Sequence, residues 1–189
     1  MKHKIAIFAS GSGSNAENLI SFFSDHPTID VVLVVCNRPD AFVLERAKKW
    51  NIPSVIIPKK EFSDCEPVEN ILRKHEVNFI VLAGFLLKIP SFLLAAYPQS
   101  IVNIHPSLLP KYGGQGMYGD RVHRAVLEAG ERESGITIHY VNDLYDEGRI
   151  IFQQKCPVGP EDTCDTLAAR IHALEHEYFP RVLADLLSK

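Results

Sequence analysis

The sequence predicts an α/β fold: an open, mostly parallel sheet of about seven strands with helices on both faces. Two observations carry this. Short apolar runs of the kind found in strands buried on both sides recur at 4–9 (KIAIFA), 31–36 (VVLVVC), 54–57 (SVII) and 79–83 (FIVLA). Between each successive pair lies a segment, at 15–24, 41–50 and 66–75, whose apolar residues recur at mixed three and four spacings, the period of an amphipathic helix. Strand alternating with helix implies right-handed crossovers and a parallel sheet covered on both sides, a Rossmann-like architecture.

The first run follows the basic residues of MKHK, but it is too brief for a secretory leader and leads straight into glycine, so it reads as a strand. Beyond VLAGF the pattern continues with a helix near 90–97, a fifth strand at 101–105 and a helix near 121–129. It then changes. GITIHYV (135–141) alternates apolar and polar residues, and RIIFQQKC (149–156) follows NDLYDEG, so these strands should border a functional loop rather than another crossover. A last helix from about Thr163 to Leu187, interrupted by Pro180, closes the fold. There is no internal repeat, low-complexity stretch or linker.

With 189 residues and 46% apolar composition, a single domain over 1–189 is the simplest expectation. A net charge of −3 provides no broad basic face, so nucleic acid is not an expected partner and any phosphate ligand should be small. No run approaches the roughly 18 apolar residues of a membrane helix, so no membrane partner is expected. Cys36, Cys65, Cys156 and Cys164 form no C-x-x-C pair, which argues against structural zinc or a disulfide scaffold and for reduced thiols in a cytoplasmic protein.

Three constellations carry chemistry. SGSGSN (10–15) sits between a strand and a helix. There Gly11 and Gly13 can take positive φ and bare the backbone, Ser14 and Asn15 add donors, and the opening N–H groups of the helix face an arriving anion. Gly11, Gly13 and Ala16 loosely satisfy a dinucleotide fingerprint, but Asn37 stands where a ribose-binding carboxylate belongs and Asp30 lies at the wrong end of its strand. There is no nucleoside-triphosphate loop either, so a phosphomonoester is the favoured ligand. A plain glycine turn is the alternative, and it needs fewer polar residues than stand here.

In VNIHPSLLP (102–110), Asn103 and His105 are two apart on a strand and face the same side, while Ile104 faces the other and Pro106 ends the ladder. The carboxyl end of a parallel strand is where ligands bind in such sheets. An amide that donates to a developing oxyanion, beside an imidazole that donates or shuttles a proton, suits attack on a carbonyl carbon. A lone histidine would equally be a hydrogen-bonded core residue.

The third stretch, NDLYDEGRII (142–151), clusters Asp143, Asp146 and Glu147 in a turn. A carboxylate there can orient His105 and favour its protonated form, whereas the ordinary reading is a solvated acidic turn. Nothing resembling a serine elbow, an H-E-x-x-H or a reactive-cysteine setting is present, so neither a metal nor a covalent intermediate is expected. His139 alternates within a strand, with the crevice and the surface equally open to it. His172, Glu175 and His176 lie on the last helix, ordinarily a solvated face.

NIHPSLLPKY, taken with SGSGSN, VLAGF and the aspartate loop before GRIIFQ, resembles the phosphoribosylglycinamide formyltransferases of purine synthesis, essentially end to end. The resemblance implies a direct transfer of the formyl group of the co-substrate 10-formyltetrahydrofolate to the amine of glycinamide ribonucleotide. Asn103, His105 and Asp146 match that family's catalytic trio. Gly11, Gly13, Ser14 and Asn15 match its phosphate site, and Glu175 a position touching the glycinamide. Leu86, Leu87, Lys88, Ile89, Asn103, Asn142, Asp143 and Leu144 match its folate contacts. Residues 1–100 would then be the phosphate-binding half and 101–189 the catalytic and folate half of a monomer or homodimer.

Two departures stand out. YGGQGMYGDRVHRAV is longer than the commoner family pattern, so 113–120 is expected to form a different lid, and the arginines often placed before the fourth strand and at Leu87 are missing, with Lys88 the nearest cation. Other acceptors remain as alternatives: methionyl-tRNA, a sugar nucleotide or water. The tRNA enzyme normally carries a further carboxyl-terminal domain and the hydrolase an amino-terminal one, neither of which is expected here. A non-catalytic nucleotide-binding module would keep the glycine loop but not the trio.

Overall fold

The chain, as described by a computed structural model over residues 2–188, alternates strand and helix from its first residues. Its elements are β1 (His3–Ala9), α1 (Ser14–Phe23), β2 (Ile29–Cys36), α2 (Val43–Lys49), β3 (Ser54–Ile56), α3 (Cys65–Lys74), β4 (Phe79–Leu82), α4 (Ser91–Ala96), β5 (Ile101–His105), α5 (Asp120–Glu128), β6 (Glu133–Tyr140), β7 (Ile150–Pro157) and α6 (Cys164–Leu187). The seven strands form one sheet in the order β3-β2-β1-β4-β5-β6-β7. β1 pairs in parallel with β2 on one side and β4 on the other, so the winding direction reverses between β1 and β4. That reversal opens a crevice at the carboxyl ends of the two strands, where ligands of open α/β sheets bind.

Side-chain parity sorts the core into two layers. In β1, Ile5, Ile7 and Ala9 join α1, α2, α5 and α6 on one face, while Ala6 and Phe8 join α3 and α4 on the other. In β5, Val102 and Ile104 belong to the first layer and Ile101 to the second, so Asn103 and His105 continue the row of Ile101 to the carboxyl edge. The sheet changes character at this point: β6 pairs antiparallel with β5 and with β7, two strands that border a loop rather than a crossover.

Pro180 does not interrupt the last helix, contrary to the sequence expectation; α6 runs through it unbroken. Proline removes the N–H that would bond the carbonyl four residues back. That carbonyl, on His176, accepts instead from Asn18 Nδ2 of α1 at 2.9 Å, where α1 packs on α6. No described helix is long and apolar enough to cross a membrane.

Candidate active site

The SGSGSN turn carries the chain from β1 into α1. Only Gly13 takes positive φ, at 74°; Gly11 does not, which corrects the expectation for that residue. Gly13 is the N-cap of α1 and no side chain caps the helix, so the first N–H groups are left for a ligand. A Cβ on Gly13 would lie 2.5 Å from the Val43 side chain and 2.8 Å from its Cα, whereas one on Gly11 would meet nothing within 4 Å. The turn is tied to the loop after β4: Ser10 N–H donates to Gly84 O at 3.0 Å, and Leu86 N–H donates to Ser10 Oγ at 2.9 Å.

At the carboxyl end of β5 the expected trio converges. His105 is 3% exposed and its Nε2–H donates to the Tyr112 carbonyl at 2.8 Å, leaving Nδ1 to face Asp146 Oδ2 at 3.5 Å. A carbonyl can only accept, so this bond settles the tautomer. Asp146 Oδ2 also accepts from Gly114 N–H at 2.9 Å. Asp146 sits at φ 57°, an αL conformation that aspartate tolerates better than most residues. Gly113 packs so closely that an added Cβ would lie 3.2 Å from Asp146 Cβ and 2.5 Å from Leu109 Cδ2. The root of the long 113–120 segment thus holds the imidazole through Tyr112 and the carboxylate through Gly114.

Asn103 is held by a residue the sequence left undecided. The β5–β6 register sets His139 directly opposite Asn103 and Thr137 opposite His105. His139 is 2% exposed; its Nδ1–H donates to Tyr140 O at 2.9 Å, so Nε2 accepts from Asn103 Nδ2 at 3.1 Å. The second Asn103 N–H reaches Asp146 Oδ1 only at 3.5 Å, near the limit of a hydrogen bond and available to a better acceptor.

The electrostatics differ from the sequence expectation in one respect. Burial pushes the His105 pKa below its ordinary value, and the opposing influences of Asp146 and the Tyr112 carbonyl do not overcome it, so the resting imidazole is neutral near pH 7. For Asp146, burial raises the carboxyl, but the hydrogen bond from Gly114 N–H opposes it, and the group is held below the usual carboxylate range. Burial likewise lowers the His123 pKa, while pairing with Glu175 raises that of His172.

Three cavities meet at Tyr145 and Asp146; one of about 390 Å³, lined by Leu109, Pro110, Gly113 and Ile150 among others, does not reach Asn103, and the other two do. The larger of those two, about 570 Å³, runs from the SGSGSN turn to Asn103, His105 and Asp146, with Arg38 and Lys59 among its cations. Leu86 and residues 114–120 also line it. The smaller cleft, about 70 Å³, is lined by Phe85, Leu87, Lys88, Ile89, Asn142 and Leu144 among others. Phe85, Asn103, Tyr145 and Asp146 belong to both. Asp143 is exposed and lines neither. The division at residue 100 does not follow the cavities either, because Phe85, Leu87, Lys88 and Ile89 line the cleft while Glu175 lines the larger cavity.

Glu175 is buried, not solvated: at 5% exposure, its Oε2 accepts from Asn15 Nδ2 at 2.8 Å and meets His172 Nδ1 at 3.1 Å. Beside it His123, 2% exposed, leaves Nδ1 without a partner. Sequence reasoning missed His123 altogether. Its spacing to Val122 and Val126 on an amphipathic helix marks a buried face, and that was the one available signal. Among the described residues no group of three or more His, Cys, Asp and Glu side chains is placed to hold a metal ion.

A family model described as formyl transferase matches residues 3–183. The chain is 45% identical over 188 residues to phosphoribosylglycinamide formyltransferase, chloroplastic, of Arabidopsis thaliana, covering 96% of this chain but 64% of the plant protein, less than two thirds of its length. It is 40% identical to phosphoribosylglycinamide formyltransferase of Bacillus subtilis (strain 168) over 189 residues, covering 97% of this chain and 94% of that one. The crystal structure of phosphoribosylglycinamide formyltransferase from Anaplasma phagocytophilum superposes with a TM-score of 0.90 at 34% identity, covering 100% of this chain and 88% of that one.

Proposed function

The chain belongs to the formyl transferase family, and from that membership and the chemistry of its cavities we propose that it transfers the formyl group of 10-formyltetrahydrofolate to the amine of glycinamide ribonucleotide. The observation that carries this reading is the meeting of two cavities at Asn103 and Asp146, one of them ending at an uncapped helix N-terminus beside two cations. A phosphomonoester suits that end. The apolar side chains that line the smaller cleft, Phe85, Leu87, Ile89 and Leu144, suit contact with the flat pterin ring, and Lys88, which lies 5.9 Å from the Tyr145 ring, lines it too. The formyl carbon of one substrate and the amine of the other then share the gap lined by the trio, which turns a bimolecular collision into a local one.

In this mechanism the uncharged amine attacks the formyl carbon and negative charge grows on the formyl oxygen. The Asn103 N–H that reaches Asp146 only weakly turns to that oxygen, while His139 keeps the other N–H and so the orientation of the amide. The Nε2–H of His105 is spent on Tyr112, so its contribution comes through Nδ1, the nitrogen facing Asp146. The proton shed by the attacking amine passes through Asp146 to Nδ1, and the charge of the imidazolium so formed stabilises the oxyanion beside it. On collapse of the tetrahedral intermediate it goes to the departing folate nitrogen. The amine loses one proton, the folate nitrogen gains one, and no bond to the protein forms. The residues ascribed to the substrates are Gly11, Gly13, Ser14, Asn15 and Glu175 for the ribonucleotide, and Leu87, Lys88, Ile89, Asn142 and Leu144 for the folate.

The test supplies the formyl donor with glycinamide ribonucleotide, with methionyl-tRNA, or with no acceptor, and follows tetrahydrofolate release. Release only with the ribonucleotide is expected; release without acceptor would identify a hydrolase instead. His105→Ala should lose most transfer while ribonucleotide affinity stays largely intact, and a fully active variant would remove His105 from the chemistry.

A further inference from the structure

The phosphate turn is held from behind by α2. Val43 N–H donates to Gly11 O at 3.1 Å, and Arg46 Nε–H donates to Ser12 O at 2.8 Å. The C=O and N–H of one trans peptide point in opposite directions. Holding the carbonyls of Gly11 and Ser12 against α2 therefore turns the N–H groups of Ser12 and Gly13 away from it, toward the cavity these residues line. Arg46 is itself held on two sides. Its guanidinium pairs with the Glu17 carboxylate and lies 5.0 Å from the Phe42 ring. Glu17 is fixed in turn by Lys49 at 2.8 Å and Trp50 Nε1 at 3.3 Å. Arg46 does not line the cavity, unlike Arg38 and Lys59.

We propose that Arg46 is a positioning residue for the substrate's phosphate: without touching it, Arg46 clamps the Ser12 carbonyl so that the turn presents its N–H groups to the anion. The proposal rests on the reading of the turn as the phosphate site. Its particular content is shape rather than charge. Arginine can engage the carbonyl with one arm of its planar fork and Glu17 with the other, and lysine, a point donor of equal charge, cannot do both in that geometry.

The experiment measures KM and kcat of the full chain, wild type, Arg46→Lys and Arg46→Met, for glycinamide ribonucleotide and for its riboside lacking the phosphate, at saturating formyl donor. Both variants should raise the ribonucleotide KM about tenfold, equivalent to about 1.4 kcal/mol, with kcat within about twofold and the riboside parameters unchanged. Glu17→Gln, which keeps the arginine but loosens its anchor, should shift KM in the same direction and serves if Arg46→Met does not fold. Wild-type KM in the lysine variant would overturn the proposal in favour of charge alone, and an equal loss on the riboside would overturn it in favour of general damage. A wild-type protein that does not distinguish ribonucleotide from riboside would instead overturn the phosphate reading of the turn itself.

Discussion

Alanine at Gly13 and at Gly11 should have opposite consequences, although the two glycines stand two residues apart in the same turn. Gly13 has φ 74°, and an added Cβ would sit 2.5 Å from Val43 Cβ and Cγ2 and 2.8 Å from Val43 Cα. The left-handed conformation costs a non-glycine residue about 1–2 kcal/mol. Overfilling a packed site adds about 1–3 kcal/mol. The last of the three contacts is with backbone, so no rotamer change of Val43 relieves it. α2 itself must move, and its Val43 N–H is what holds the Gly11 carbonyl. The sum, about 2–5 kcal/mol, corresponds to a fall in melting temperature of about 4–20 °C for a chain of this size. Gly11 has no left-handed φ and an added Cβ would meet nothing within 4 Å. Gly11→Ala should therefore fold as well as the wild type or gain about 0.4–1 kcal/mol from a less flexible unfolded chain, while losing ribonucleotide affinity because the methyl group stands where the ligand approaches. Thermal melts and ribonucleotide KM for both variants test this. A Gly13→Ala protein that melts within 1 °C of the wild type (about 0.3 kcal/mol) would refute the reasoning, as would a Gly11→Ala protein that unfolds first.

Asn103→Ala should lower turnover by about 10² to 10³, the usual cost of an oxyanion donor, with little change in ribonucleotide KM; equal kcat in the two proteins would exclude the amide from the reaction. His139→Ala leaves Asn103 in place but unaimed, and the lost hydrogen bond should lower kcat about tenfold, at about 1–1.5 kcal/mol; the double variant should then be hardly worse than Asn103→Ala, whereas additive losses would show His139 acting elsewhere. Burial lowers the pKa values of His105, His123 and His176, so the unfolded chain takes up protons below about pH 6.5 that the folded protein refuses, and stability should fall as pH drops from there toward the folded values. His172 acts in the opposite sense, its contribution being present below about pH 6.5 and lost as pH rises through its elevated folded value. With three groups against one, melting temperature should decline from pH 7.5 to 5.5, and a rise on acidification would contradict the burial of these rings.

Much of this site was legible from local pattern. Two residues apart on a strand means one face, so Asn103 and His105 had to project together wherever that strand lay. Helix periodicity and apolar runs likewise placed every element of the fold near its observed bounds, because burial of a face repeats at the period of the backbone that carries it. The motif resemblance then singled out Asp146 from an acidic turn that by itself looks solvated.

What the amino-acid order determined, then, was whatever neighbours along the chain decide: which segments are strands or helices, that a glycine turn opens α1, and that an amide and an imidazole share a strand face. Tertiary structure alone decided what depends on pairing and on exclusion of water. The β5–β6 register brought His139 against Asn103, the packing of α1 on α6 buried Glu175 and supplied the Pro180 gap with a donor, and the tight turn at Gly113 and Gly114 fastened Asp146 beside His105. Desolvation of that imidazole, strong enough to keep it neutral against an adjacent carboxylate, depends on atoms from four separate stretches of chain, and no local window of sequence contains them.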